Sequence, residues 1–144
     1  MDKAEAFAYA LRLLSRRAMS RARLKEKLLE RFPEAEVDQA LERLSALGYL
    51  DDRAFAETFV ALRRKYGPRK LRHLLRAQGV GEEVVEAVLG EVGEEEVLEA
   101  ALRALRRYPR RHDRAKAVRF LLGRGFPLAV ALQAYELAKE EEKG

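Results

Sequence analysis

Apolar residues recur along this chain at i, i+3, i+4 and i+7, the period of a helix with one buried face. The pattern itself repeats about every 47 residues. A shift of 47 aligns Leu24, Leu71 and Val118; Leu28, Leu75 and Leu122; Val37, Val84 and Ala131; Ala40, Ala87 and Ala134; and Leu41, Val88 and Tyr135. Upstream, Phe7, Ala8, Leu11 and Leu14 match Phe55, Ala56, Phe59 and Leu62, then Ala101, Leu102, Leu105 and Tyr108, at spacings of 48 and 46.

Turn and cap residues divide each repeat into three helices. In the first, helices are expected at about 3–17, 21–31 and 34–47, with Ser20 as an N-cap and Gly48 as a helix stop. The second begins after Asp51-Asp52, breaks at Gly67-Pro68 and at Gly79-Val80-Gly81, and ends near Gly90. In the third, Tyr108-Pro109 and Gly125-Phe126-Pro127 supply the breaks. The expected fold is all-α, with three tandem three-helix repeats at residues 1–48, 49–95 and 96–144. A unit this small buries too little apolar surface to stand alone, so the repeats are expected to stack into an elongated, curved array.

Composition strengthens the helical reading. Hydrophobic residues make up 48% of the 144 and charged ones 37%, enough to bury a core and too apolar for a disordered chain. Ala, Leu, Arg and Glu dominate, Ile, Asn and Trp are absent, and Thr58 is the sole threonine, which leaves little material for a sheet. With no Cys there is no disulfide, thiolate zinc site or thiol nucleophile, and a reducing compartment is expected. The first residues lack the apolar core of a signal peptide, and no uncharged stretch approaches a membrane span, so a cytoplasmic location without membrane contact is expected.

The net charge of +5 conceals alternating blocks. Residues 12–31 carry eight basic and two acidic side chains, 63–76 seven basic and no acidic, and 103–124 nine basic and one acidic. Between them, 34–52 has six acids against Arg43, and 82–99 has eight acids and no base. Two readings fit: a solvated, salt-bridged surface, or a field aimed at a polyanion. Solubility alone does not require such segregation, which favours the second.

The catalytic inventory is thin. His73 and His112 are the only histidines, and there is no HExxH, nucleophile elbow or Walker glycine loop. Neither an enzyme activity nor a metal or other cofactor is expected. Asp51-Asp52 and Glu94-Glu95-Glu96 read as cap and first-turn acids at helix starts. On a helical wheel, Leu71, Leu74, Leu75 and Gln78 share one side of the helix near 69–78, and Arg69, Arg72, His73 and Arg76 fall opposite. Arg63, Arg64, Lys65 and Lys70 extend that basic patch, with Arg16, Arg17, Arg110 and Arg111 as the corresponding groups in the other repeats.

At Gly48-Tyr49-Leu50-Asp51-Asp52, followed by Phe55, Ala56 and Phe59, physics predicts a helix stop, an apolar linker burying Tyr49 and Leu50, and a newly capped helix. With Val60 and Arg63, this stretch strongly resembles the central motif of the RecX family of recombination regulators. Ala10, Leu11, Arg12, Leu14, Arg17, Ser20, Leu24 and Leu28 resemble that family's first repeat, and Gly67, Leu71, Leu75, Gly79 and Val80 its second. One departure is Arg23, three residues after the capping Ser20. Arg there forfeits a capping box and sets positive charge at a helix N-terminus, which puts the start of that helix in question.

The resemblance implies a non-enzymatic negative regulator of RecA. Such a protein binds the RecA nucleoprotein filament along its helical groove and suppresses ATPase, strand exchange and coprotease activities. The basic groups would then meet DNA phosphates or acidic RecA surface, the motif at 48–59 would be mainly structural, and the chain is expected to be a monomer. The alternative is a helix-turn-helix transcription regulator, which usually carries a β-wing that no β-branched hairpin here supplies.

Overall fold

The computed structural model describes residues 3–143, which form α-helices and no strand. In chain order these are α1 (Lys3–Arg16), α2 (Arg21–Leu29), α3 (Glu34–Ala46), α4 (Asp52–Ala61), α5 (Pro68–Ala77), α6 (Glu82–Gly90), α7 (Glu94–Arg106), α8 (Arg114–Gly123) and α9 (Leu128–Lys143). The chain gathers into two compact units. One comprises the residues through Thr58 with Leu75–Val85, and the other Phe59–Leu74 with Glu86 onward.

In the first unit, α1, α2 and α3 enclose Ala10, Leu24, Leu28, Val37, Leu41 and Leu44, and Leu50 of the following linker joins them. The start of α2 shows why this packing is specific. Ser20 Oγ accepts from the Arg23 amide at 3.1 Å, as an N-cap should, and its hydroxyl donates to the Gln78 carbonyl. Ser20 is fully buried, so both bonds answer a need to satisfy a desolvated hydroxyl. A second free amide, that of Arg21, donates to Asp52 Oδ1 at 2.8 Å. A carboxylate from 31 residues away thus serves this helix start, at the first helical amide rather than at the N-cap amide that a capping box would engage. Asp51 caps its own helix, its Oδ1 accepting from the Ala54 amide at 3.1 Å. Asp52→Ala should therefore lower stability by about 1 kcal/mol, the usual worth of an N-cap, in urea unfolding.

In the second unit, α7, α8 and α9 enclose Ala101, Leu105, Ala117, Leu121, Phe126, Ala131 and Ala134. The register of α8 departs from the 47-residue shift. Leu122 is 39% exposed, and the fully buried positions are Ala117 and Leu121, one residue earlier. These lie 46 residues beyond Leu71 and Leu75, the spacing already visible upstream. The linker between α4 and α5 is fixed by two backbone bonds, Gly67 N to Arg124 O at 2.8 Å and Arg69 N to Gly125 O at 3.0 Å. The repeat aligns Leu62 with Leu14 and Tyr108, yet α4 ends at Ala61 and Leu62 is 76% exposed. The Arg63 guanidinium lies 3.6 Å from the centroid of the Phe59 ring and donates to the Phe59 carbonyl at 3.2 Å, satisfying the end of α4.

Candidate partner-binding surface

Pro68 opens α5 at a position where a missing amide hydrogen costs nothing, and the helix turns Leu71 and Leu75 inward. Arg69 and Arg76 are exposed and Arg72 half-buried, so the basic side points outward. Two of these arginines are engaged by α6. Arg72 holds Glu86 with both carboxylate oxygens, Nε at 2.8 Å and Nη2 at 3.1 Å. Arg76 holds Glu82 in the same fashion, its Nε at 3.0 Å. Arg69 has no carboxylate within ion-pair distance among the described residues, and Lys70 Nζ sits 5.8 Å from the Tyr66 ring centroid.

The remaining basic groups divide in the same way. Arg64 pairs with Glu96 at 3.4 Å, and Lys65 Nζ lies 5.2 Å from the Tyr66 centroid. Arg16, Arg17 and Arg110 are exposed, while Arg111 donates to Glu142 at 3.1 Å. His112 Nδ1 is 2.9 Å from the same Glu142, and His73 is exposed on α5. Nearby, a hydrogen bond from Arg106 holds the Glu141 carboxyl below its ordinary value, and that bond in turn raises the Arg106 guanidinium. What this exposed pair adds to holding α9 is present above the ordinary carboxylate range and fades as pH falls through the lowered value. Solvent-screened surface pairs add little to stability, so Arg72→Ala should shift the urea midpoint only slightly.

A concentration of charge that the wheel did not single out lies in the second unit. A groove of about 600 Å³ is lined by Arg64, Lys65, Arg103, Arg107 and Arg124, with Leu62, Ala100, Ala104, Tyr108, Pro109 and Phe120 between them and no acid. Arg103 and Arg107 stand one turn apart at the C-terminal end of α7, where positive charge complements the helix dipole. The Tyr108 and Phe120 rings stack with centroids 4.2 Å apart and planes at 6°, and the Arg124 guanidinium covers Phe120 at 4.8 Å. Arg103, Arg107, Lys65 and Arg124 have no carboxylate within ion-pair distance among the described residues. The signal in the sequence was the nine-fold basic block at 103–124 interrupted by Tyr108-Pro109.

The motif at 48–59 divides between core and surface. Gly48 adopts φ +84°, the left-handed conformation that ends α3 without a side-chain clash. Leu50, Ala56 and Phe59 are buried, and Phe55 is half-buried. Tyr49 departs from expectation: it is 58% exposed. Together with Phe55, Leu11, Leu14 and Met19 it lines a separate groove of about 540 Å³ in the first unit. Among the described residues no group of three His, Asp or Glu is placed to hold a metal ion, and no helix is long and apolar enough to cross a membrane.

Residues 6–44 match the first three-helix domain of RecX and residues 51–89 the second. A regulatory protein RecX of Thermus thermophilus is 63% identical over 141 residues, which span 97% of this chain and 96% of its own. The chain belongs to the RecX family. A more distant RecX, from Chlorobium phaeobacteroides, is 38% identical over 87% of each chain. The fold agrees with a crystal structure of RecX from Lactobacillus salivarius at a TM-score of 0.85, with 18% identity over 95% of this chain and 96% of the other. A second RecX crystal structure matches at 0.79 with 28% identity, over 96% of this chain and 73% of the other. In this RecX chain the two matched domains end at Leu44 and Leu89, so the groove formed with α7 and α8 draws most of its cations from outside them.

Proposed function

We propose that this RecX-family chain is a non-enzymatic negative regulator of the RecA recombinase. It binds the RecA nucleoprotein filament along its helical groove and suppresses ATPase, strand exchange and coprotease activities. The observation that carries this reading is 63% identity to a regulatory protein RecX over nearly the full length of both chains. The surface supports it: cations without carboxylate partners among the described residues, at Arg16, Arg17, Lys65, Arg69, Lys70 and Arg110, suit a polyanionic assembly. In this reading the three repeats at 1–48, 49–95 and 96–144 act as a monomer in the cytoplasm. A helix-turn-helix transcription regulator is less well supported, since no strand that could form a wing occurs among the described residues.

The test is co-sedimentation with RecA filaments assembled on single-stranded DNA. Arg69 and Lys70 are the residues to change, because removing Arg72 or Arg76 would also strip Glu86 or Glu82 of an ion partner. The Arg69→Ala/Lys70→Ala variant should fold normally and sediment less. If the two side chains neutralise phosphates, the log-log salt slope should flatten by roughly 0.7 to 0.9 for each phosphate left without its cation. Undiminished sedimentation of the folded variant would remove these two residues from the interface.

A further inference from the structure

We infer that the groove between the 62–67 linker and helices α7 and α8 is a binding site for single-stranded nucleic acid. The backbone phosphates lie against Lys65, Arg103, Arg107 and Arg124, and bases lie against Leu62 and Tyr108. The inference rests on the filament reading for its setting, and it assigns this groove to the nucleic-acid component of that assembly rather than to protein.

Charge is the first argument. In a chain with 24 acidic residues, five cations line one concavity and no carboxylate lines it. Arg64 has Glu96, but the other four have no carboxylate in reach among the described residues. Elsewhere Arg72, Arg76, Arg106 and Arg111 are each held by a carboxylate, whereas the groove gathers four cations without one around a single concavity. Four like charges around one concavity repel one another, and a polyanion relieves that repulsion.

The apolar surface is the second. Leu62 is 76% exposed, and the Tyr108–Phe120 stack, held on its Phe120 side by Arg124, is preformed. A basic track beside a flat aromatic and aliphatic surface is the arrangement that holds unpaired bases while the phosphates are neutralised. A duplex keeps its base faces covered and would leave Leu62 and Tyr108 without partners.

The third is what the lining lacks. No Asn, Gln, Ser or Thr side chain contributes to it. The Tyr108 hydroxyl is the one neutral polar side-chain group in the lining, too little to read base edges along a strand, which predicts sequence-independent binding. An acidic peptide would satisfy the charges, but its backbone amides would find the Tyr108 hydroxyl as their one side-chain acceptor in the lining.

The experiment measures fluorescence anisotropy of end-labelled oligothymidylate of about 20 nucleotides, without RecA, against three proteins; a strand of that length exceeds the span of the groove. The proteins are the parent, Arg103→Ala/Arg107→Ala, and Lys27→Ala/Lys139→Ala, which removes equal charge from residues that do not line the groove. All four positions are exposed, and circular dichroism confirms that the variants are folded. The parent is expected to bind with a log-log salt slope of about −3, from four neutralised phosphates at about −0.7 each. The groove variant should bind at least about tenfold more weakly with its slope reduced to about −1.4, and the control should keep most of its affinity. A duplex of the same length should bind more weakly than the single strand.

The inference is overturned if the parent does not bind the oligonucleotide, if both variants lose affinity equally, or if the duplex binds as well as the single strand. Binding of a labelled Glu/Leu peptide in place of the oligonucleotide, with the same sensitivity to Arg103 and Arg107, would also overturn it. A parent that inhibits RecA yet fails to bind the oligonucleotide overturns the groove assignment alone. A parent that binds it through the groove and leaves RecA untouched overturns the proposed function alone.

Discussion

Gly125→Ala should lower the unfolding free energy by roughly 3 to 5 kcal/mol, combining a left-handed residue with a side chain driven into neighbouring backbone. Gly125 adopts φ +93°, and a Cβ there would fall on the backbone amide of Lys70, 2.9 Å from its Cα. Its own carbonyl accepts from the Arg69 amide, so the α8–α9 turn cannot back away without breaking the bond that positions α5. Two residues earlier the sign reverses. Gly123 ends α8 with open space around its Cα, so Gly123→Ala should stabilise by up to about 1 kcal/mol through helix propensity and the restricted unfolded chain. Urea unfolding of the two variants side by side checks both. A Gly125→Ala protein as stable as the parent would mean that the linker and the α8–α9 turn do not meet as described.

Phe59→Ala carries the next largest effect, about 3 to 5 kcal/mol for emptying a buried aromatic site. Phe59 is buried, and its ring also supports the Arg63 guanidinium that satisfies the end of α4. Phe55, one turn earlier, is partly exposed, so Phe55→Ala should cost less, because less apolar area is returned to water. From the repeat alone the two rings look equivalent. Melting temperatures of both variants decide the ordering, and a larger loss at Phe55 would contradict the inner face assigned to α4.

The helices were legible in the sequence because the signals that start and stop them are local. Ser20, Gly48, Pro68 and Gly125 act within one turn of their own positions, and α2 begins where Ser20 places it. The motif at 48–59 was legible for the same reason, and its resemblance to RecX agrees with the matched domains. Features that depend on tertiary placement were not legible. Whether Val118 and Leu122 or Ala117 and Leu121 face inward turns on one residue in the connection before α8. Arg72 and Arg76 were readable as outward-facing, but their capture by Glu86 and Glu82 depends on how α6 folds back across the intervening turn. The start of α2 looked compromised by Arg23 because its second cap, Asp52, comes from a distant part of the chain. The basic groove is the extreme case, since it assembles residues near 62–65, 103–109 and 120–124.

The most direct measurement of the central claim is the rate of ATP hydrolysis by RecA on single-stranded DNA as the purified protein is added. If the chain is a regulator that acts on the filament, the rate should fall in a dose-dependent way at amounts well below one molecule per RecA protomer. An unchanged rate at equimolar protein and above, with the protein shown to be folded, would contradict the account.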